Sequence, residues 1–274
     1  MINGIKMSVK IDSHWILIRG LAREARHWGE FPDKFKQELA REGANVRVDA
    51  IDLPGAGRFS EMRSPLNMAE ITEFVRDKFL EIRRRQRESG EHPERTFLAA
   101  MSLGGMVASQ WMEMWPRDLN GCVLINTSFR GFSPLKHRLQ PRTLRHFVGI
   151  LRNQSDAVAS ERHVLALVSN RPELREHTAR EWAAIRHSRP MTLENLARQL
   201  FAASRFEPRI VEPTVPVLLL NSLQDRMVHP ACSEVIADRW RHAQLCRHPN
   251  AGHDLPLDDA EWTISQILKW YRAL

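Results

Sequence analysis

One stretch of the chain, residues 95–108, constrains the fold more than any other. It reads RTFLAAMSLGGMVA, an apolar run that ends at Ala100 and is followed by a serine, two glycines and helix-forming residues. This order predicts a strand, a sharp turn and a helix, with the hydroxyl of Ser102 at the apex of the turn. The N-terminus of the helix then points at any negative charge that forms nearby. The stretch indicates either a nucleophile on a sheet or an ordinary strand-to-helix turn.

The residues around Ser102 depart in one place from the usual nucleophile pattern, G-x-S-x-G. The segment here is Ala-Met-Ser-Leu-Gly, so Ala100 stands where the first glycine is common. The incoming strand and the outgoing helix pass close together at such a turn, and alanine adds only one methyl group there. Gly104 and Gly105 keep the helix side narrow. Ser102 therefore remains the candidate nucleophile.

Short apolar runs elsewhere in the chain alternate with segments of helical periodicity. The further runs that we predict as strands are residues 15–18, 46–53, 122–126, 215–221 and 243–247. Parallel strands buried on both faces read as continuous apolar runs rather than alternating ones. The pattern predicts an α/β fold with a mostly parallel central sheet and helices on both of its faces.

The region between residues 130 and 209 breaks this alternation. It contains no convincing buried strand, and its apolar residues recur at helical spacing, which predicts a helical insertion between two sheet strands. It carries 15 Lys and Arg against 7 Asp and Glu, a balance of +8, whereas the whole chain is +7. The remainder is therefore about −1. We predict a core of residues 1–129 and 210–274 with the insertion between them.

The composition and the termini exclude several classes of protein. Hydrophobic residues make up 43% of the 274 residues, which is enough for a sizeable core. No apolar run approaches the ~20 residues that a membrane helix needs. Residues 1–10 lack the apolar centre of a secretory signal, so we expect a cytoplasmic protein. The cysteines have neither disulfide-like nor metal-ligand spacing and are expected to be reduced. They are Cys122, Cys232 and Cys246.

Two features that could indicate other ligands are weak. The basic run at residues 83–87 is either the solvated end of a helix or a nucleic-acid patch. No recognised nucleic-acid motif accompanies it, so we expect no nucleic-acid partner. The glycines at Gly20 and at residues 55–57 lack the G-x-G-x-x-G spacing of a dinucleotide site. We expect neither a metal nor an organic cofactor.

The partners that a serine nucleophile needs stand after later strands. A base must take the serine proton, and a third group must orient that base. Asp225 follows the apolar run at residues 215–221, and His253 follows the next short strand. Sites on open α/β sheets gather at the carboxyl ends of parallel strands. Asp254 is a weaker candidate acid, because a sequence neighbour rarely reaches the far ring nitrogen of a histidine.

With these residues the chain resembles the α/β-hydrolase family, over nearly its whole length. The family order is serine, acid, histidine, which Ser102, Asp225 and His253 match. Its acid turn usually reads G-x-x-D-x-x-V-P, whereas here Ser222 replaces the glycine and Pro230 comes one residue late. The resemblance also implies that the insertion at residues 130–209 is a helical lid.

The resemblance implies further site residues. The first oxyanion loop of the family usually reads His-Gly, and here it reads Arg19-Gly20. The oxyanion donors would be the backbone N–H groups of Leu21 and Leu103, which survive a side-chain change. Trp28 and Met101 are candidate residues of the substrate pocket, with core packing as the alternative for Trp28.

The activity implied by the resemblance is hydrolysis of an ester-like bond through an acyl-enzyme. Some relatives in the family use aspartate as the nucleophile, but position 102 is serine. A thioesterase, a C–C hydrolase or an acyltransferase with the same triad, and a non-catalytic binding protein that kept the fold, are alternatives. The substrate would be a small-molecule ester or acyl compound, and the basic insertion suggests one that is anionic or carrier-bound. The alternative for the basic residues is simple solvation of the insertion.

Overall fold

The computed structural model describes residues 9–153 and 155–274, and a six-stranded parallel sheet lies at its centre. The strand order is β2-β1-β3-β4-β5-β6. The strands are β1 (Val9–Ile18), β2 (Val46–Ala50), β3 (Glu91–Met101), β4 (Gly121–Ile125), β5 (Val217–Ser222) and β6 (Gln244–His248). The helices are α1 (Phe31–Arg41), α2 (Met68–Ser89), α3 (Leu103–Met114), α4 (Leu135–Arg138), α5 (Leu144–Arg152), α6 (Ala157–Val168), α7 (Arg175–Ser188), α8 (Leu193–Arg205), α9 (Ala231–Arg239), α10 (Leu255–Asp258) and α11 (Ala260–Tyr271).

Helices cover both faces of the sheet, as the sequence predicted. Side chains of β1 show the division, because successive residues of a strand point to opposite faces. Ile16 and Ile18 pack with the layer formed by α2, α3 and α9. Trp15 and Leu17 pack with the layer formed by α1 and α11. Each fully buried side chain of this kind contributes about 1.5–3 kcal/mol to folding.

Strand β1 is longer than the sequence predicted, since it begins at Val9 rather than at residue 15. The earlier half of the strand is rich in polar residues, and partners in neighbouring elements make their burial possible. Ser13 Oγ accepts a hydrogen bond from the hydroxyl of Tyr271 at 3.2 Å, and His14 Nε2 lies 2.8 Å from Asp49 Oδ2. A search for apolar runs overlooks such residues because their partners are far away in sequence.

The connection between β4 and β5 is helical. Over the described part of residues 130–209, helices α4 to α8 and short 3₁₀ turns form, and no strand does. Helices α6 and α7 pack through an apolar cluster of their own, which includes Leu165, Leu167 and Trp182. The insertion is also fastened to the core, for example where Arg26 Nη2 donates to Ser188 Oγ at 2.8 Å. We refer to helices α4–α8 and their connections as the insertion.

The basic run at residues 83–87 belongs to the last turns of α2. The helix ends before Gly90, which takes the left-handed conformation (φ 84°) that glycine adopts without strain. Within the run, Arg83 donates to the carbonyl of Pro93, at 3.5 Å from Nη1 and 3.4 Å from Nη2. The helix end that the sequence predicted is therefore present.

The described residues include no helix that combines the length and the apolar character needed to cross a bilayer. The three cysteines are all free thiols, as expected from their spacing.

Candidate active site

Ser102 lies in the sharp turn between β3 and α3. Its backbone has φ 55° and ψ −117°, a region that a residue with a side chain rarely adopts. The N–H of Ser102 donates to the carbonyl of Ile125 at 2.8 Å, and its own carbonyl accepts from Thr127 Oγ1 at 2.7 Å. These bonds hold a conformation that costs about 1–3 kcal/mol. Such strained residues cluster at functional sites, and the turn agrees with the predicted one.

Gly104 allows the helix after Ser102 to start against the end of β1. A Cβ atom at this position would lie 2.5 Å from the carbonyl oxygen of Ile18 and 2.7 Å from that of Arg19. Both obstacles are backbone atoms that cannot move aside. The narrow turn therefore requires glycine here, whereas Ala100 is accommodated in the buried strand.

His253 and Asp225 meet although 28 residues separate them. His253 Nδ1 lies 2.7 Å from Asp225 Oδ2, and both side chains are buried. The other oxygen, Oδ1, accepts from the backbone N–H groups of Met227 at 2.7 Å and Val228 at 3.0 Å. Because an ionised carboxylate only accepts, the ring carries its proton on Nδ1. In the neutral ring, Nε2 is then able to accept a proton.

Asn126 holds the backbone of the histidine loop and was missed by the sequence reasoning. Its Nδ2 donates to the carbonyl of His253 at 2.8 Å and to Ser222 Oγ at 2.9 Å, while its Oδ1 accepts from the N–H of Ser222 at 2.9 Å. Its own backbone has a positive φ of 47°. A signal was present in the sequence, because Asn126 ends an apolar run at the carboxyl edge of the sheet.

Arg19 and Asp254 form a buried ion pair beside these residues. Arg19 is 3% exposed and Asp254 is 1% exposed. Arg19 Nη1 donates to Asp254 Oδ1 at 3.1 Å, and its Nη2 donates to the second oxygen. The carboxylate of Asp254 is therefore taken by Arg19, while that of Asp225 faces the imidazole. The pair joins the loop before Leu21 to the residue after His253.

The loop at Gly20 lies against Ser102. A Cβ atom on Gly20 would be 3.0 Å from Ser102 Cβ and 3.5 Å from Ser102 Oγ. In the described part of the chain, the backbone N–H groups of Leu21 and Leu103 donate to no other backbone group. The N–H groups of Leu21 and Leu103 are therefore free to donate, and both residues are neighbours of the contact between Gly20 and Ser102.

Ser102 and His253 line one cavity of about 470 Å³. Leu21 and Met101 also line it, so the structure places these two predicted residues at the cavity. Its remaining wall comes largely from apolar side chains of the insertion. These include Leu139, Leu144, Phe147, Ile150, Val164, Leu196 and Leu200. A cavity of this composition suits an apolar acyl group.

Trp28 does not line the cavity, which corrects the prediction that it could be a pocket residue. Its indole is buried among core side chains, stacked on Phe31 with ring centroids 5.4 Å apart. Arg19 lines the cavity and also packs on Trp28, with its Cζ 4.9 Å from the centre of the indole. Trp28 therefore supports Arg19 from behind, because its short 3₁₀ helix turns the ring toward α1.

Charged groups occupy the part of the cavity where the insertion meets residues 19–27. Glu161 of α6 is 3% exposed, and its Oε2 lies 3.0 Å from Arg23 Nη2. The guanidinium of Arg23 also stacks on Trp182, 4.6 Å from the ring centre. Burial, and then the charges of Arg23 and Arg19, hold the pKa of His27 well below its usual value. This ring is therefore neutral near pH 7.

Within residues 9–153 and 155–274, no group of three or more His, Cys, Asp or Glu side chains is placed to hold a metal ion.

Comparisons with known proteins agree with this architecture. Residues 16–260 match the family described as serine aminopeptidase, S33. A stretch of 101 residues is 30% identical to the pimeloyl-[acyl-carrier protein] methyl ester esterase of Edwardsiella ictaluri, covering 37% of this chain and 34% of that protein. The chain thus spans about a third of that curated relative.

Two solved structures resemble the fold over almost its whole length. An esterase from Exiguobacterium antarcticum has a TM-score of 0.71 at 14% identity, over 96% of this chain and 93% of its own. A hydrolase from Pseudomonas aeruginosa has a TM-score of 0.71 at 19% identity, over 95% of this chain and 90% of its own. At these identities the likeness concerns the fold.

Proposed function

The chain belongs to the α/β-hydrolase family, and we propose that it is a serine hydrolase that cleaves a carboxylic ester through Ser102, His253 and Asp225. The observation that carries the proposal is the convergence of two independent features on one cavity. One is the strained turn that presents Ser102, and the other is the imidazole of His253 oriented by Asp225.

In the first half of the proposed reaction, Ser102 Oγ attacks the ester carbonyl carbon while His253 Nε2 takes the hydroxyl proton. Asp225 stabilises the imidazolium that forms and keeps the ring in the tautomer that can accept this proton. When the tetrahedral intermediate collapses, the imidazolium gives the proton to the departing alkoxide. The alcohol leaves, and the acyl group remains esterified to Ser102.

Water completes the cycle. His253 takes a proton from a water molecule as its oxygen attacks the acyl carbon, and the ring then returns the proton to Ser102 Oγ. The acid product leaves, and the serine is restored.

The developing oxyanion is stabilised by the backbone N–H groups of Leu21 and Leu103. Each donor of this kind accounts for about 3–4 kcal/mol in comparable sites. Support comes from the close approach of Gly20 to Ser102 and from the lack of another backbone acceptor for either N–H among the described residues. The Arg19–Asp254 pair would keep this loop and the histidine loop in register.

We propose further that the insertion, residues 130–209, acts as a lid, with residues 1–129 and 210–274 as the catalytic core. The support is that apolar side chains of the insertion form much of the wall of the cavity that holds Ser102.

Two serine variants test the proposal. Ser102→Ala should abolish labelling by a fluorophosphonate and lower the turnover of nitrophenyl esters by about three orders of magnitude or more, because the nucleophile is gone. Ser109→Ala is the matched control, since Ser109 is a buried serine on α3 whose hydroxyl has no hydrogen-bond partner among the described residues. Labelling of the Ser102→Ala protein at the wild-type rate would overturn the assignment.

A carrier-bound ester or thioester is the second candidate substrate. The curated relative named above acts on an ester attached to an acyl-carrier protein. The +8 balance of residues 130–209 favours an acidic partner of this kind. A panel of free and carrier-bound esters and thioesters with matched acyl chains would separate the two candidates.

A C–C hydrolase or an acyltransferase would use the same three residues, and cleavage products and acceptor preference would distinguish them from an esterase. A non-catalytic binding protein would show no labelling of Ser102 at all.

A further inference from the structure

Positive and negative side chains that line the cavity cancel in some parts of its wall and not in others. Arg19 is neutralised by its bidentate pair with Asp254. The carboxylate of Glu24 is engaged by the guanidinium of Arg26, with Arg26 Nη2 3.1 Å from Glu24 Oε2. Neither pair leaves a net charge in the cavity.

At the end of α7, positive side chains outnumber the negative ones that line the cavity. Arg186 and Arg189 both line the cavity, as does Arg23. Arg23 and Arg186 share the carboxylate of Glu161, whose Oε2 lies 3.0 Å from Arg23 Nη2 and whose Oε1 lies 3.9 Å from Arg186 Nη1. Among the described residues, the guanidinium of Arg189 has neither an ion pair nor a hydrogen bond. Three arginines thus line this part of the cavity, and the carboxylate of Glu161 pairs with only two of them, Arg23 and Arg186.

The unmatched charge adjoins an apolar wall. His27 adds no charge, because its pKa lies well below the usual value. On the same cavity, Ile185, Met191 and Leu193 flank the two arginines, and the apolar side chains of α5 and α6 continue the wall. A cavity of this kind presents an apolar surface that ends in cations.

We propose that Arg186 and Arg189 form a subsite for a carboxylate carried by the substrate, so that the preferred substrates are esters whose acyl chain ends in a second, ionised carboxyl group. The inference rests on the proposed ester hydrolysis at Ser102. The apolar chain lies along the wall of the insertion, and the free carboxylate meets the guanidinium groups. Arginine suits this role because its planar fork matches the two oxygens of a carboxylate.

The first test compares esters of the same diacid with and without a free carboxylate. The kcat/KM values of monomethyl and dimethyl suberate are measured by methanol release, and adipate and sebacate pairs extend the range of chain lengths. The ratio of half-ester to diester should fall about tenfold in Arg186→Gln/Arg189→Gln, the size expected for loss of a charge-assisted hydrogen bond.

A matched control removes the same net charge from the same helix. Arg175 and Arg180 belong to α7 but do not line the cavity, and Arg180 pairs with Glu176 at 3.0 Å. Arg175→Gln/Arg180→Gln should keep the wild-type ratio. An equal fall in both double variants would mean that only the overall charge matters, and it would overturn the subsite.

The second test measures binding without turnover. Calorimetry on Ser102→Ala gives the Kd of monomethyl suberate, and adding Arg186→Gln/Arg189→Gln should weaken it about tenfold. Hydrolysis of both suberate esters with no change in their ratio leaves the proposed function standing and overturns the subsite. Arginine-dependent binding without any hydrolysis by the wild type supports the subsite and overturns the esterase. An unchanged Kd, with no preference at any chain length, overturns the subsite.

Discussion

Asp225 and Asp254 have identical side chains, one facing the imidazole of His253 and the other on the next residue of the chain, and their partners give them different roles. Asp225 accepts from two backbone N–H groups with one oxygen and faces His253 Nδ1 with the other. Asp254 gives both oxygens to Arg19. Among the described residues the buried guanidinium pairs with no other carboxylate, so loss of Asp254 would leave a charge inside the protein without its partner.

Asparagine at each position should therefore have a different effect. Asp225→Asn should lower kcat for an ester substrate by about 10⁴-fold, because the amide favours the wrong tautomer of His253. Asp254→Asn should lower the free energy of unfolding by about 3–5 kcal/mol, since it breaks a buried ion pair. Urea unfolding and steady-state kinetics on both variants measure this. A stable but inactive Asp254→Asn beside a fully active Asp225→Asn would show that the wrong acid was assigned.

Among the secondary-structure elements, α7 and the 3₁₀ helix Ala25–Trp28 form one of the contacts between the insertion and the core. The ring of His27 packs edge-on against Trp182 with centroids 5.3 Å apart. Arg23 stacks on the same indole, and Arg26 bonds to Ser188. The histidine is thus buried, as a neutral ring, at one of the places where the insertion meets the core.

Acid should weaken this contact. The pKa of His27 in the folded protein lies well below that of the unfolded chain, about 6.5, so the unfolded state binds more protons as the pH falls below that value. Stability should decline with falling pH by up to about 1.4 kcal/mol per pH unit from this one ring. His27→Gln should remove that part of the pH dependence in urea unfolding.

His177→Gln is the control for this experiment, because His177 is an exposed residue of α7 near Glu181. It should leave the slope of stability against pH nearly unchanged. An identical slope in wild type and His27→Gln would show that His27 does not titrate differently in the two states.

For the whole molecule, the separation of charge between insertion and core governs long-range attraction. Residues 130–209 carry +8 and the rest about −1. Many of the arginines are paired at the surface, such as Arg162 with Glu176 at 2.9 Å, so they also solvate the insertion. The excess nevertheless creates a positive field around a cavity lined by the insertion.

Salt should separate the long-range attraction by the basic insertion from the direct contact between a substrate carboxylate and the arginines in the cavity. Raising the ionic strength from about 0.01 M to 1 M shortens the screening length from about 30 Å to 3 Å. The kcat/KM of an anionic ester should fall over this range, while that of its neutral partner stays constant. A preference for the anion should remain at high salt, because a contact inside the cavity is screened less than a surface field. Equal salt responses for both esters would mean that the basic residues only solvate the insertion.

Much of the architecture was readable from sequence, for reasons that differ between elements. The inner strands β4 and β5 appear as apolar runs because both of their faces are buried. Strand β1 was read only in part, since Ser13 and His14 find partners in other elements. The division into core and lid stays a prediction, although the helical character of the insertion was correctly read from its periodicity.

By itself, the sequence determined the parallel sheet, the turn at Ser102 and the order of Ser102, Asp225 and His253, because these depend on local periodicity and on small residues at a tight turn. Only the tertiary structure decided that Asp225 meets His253, that Arg19 takes Asp254, 235 residues away, and that Trp28 lies behind Arg19. It also selected Arg186 and Arg189, among the basic residues of the insertion, to line the cavity. The physical reason is that a charged side chain can pair with any of several partners of similar chemistry. The partner is the one that lies nearest in the folded protein, and neither the spacing of residues in the sequence nor the hydrophobic pattern specifies it.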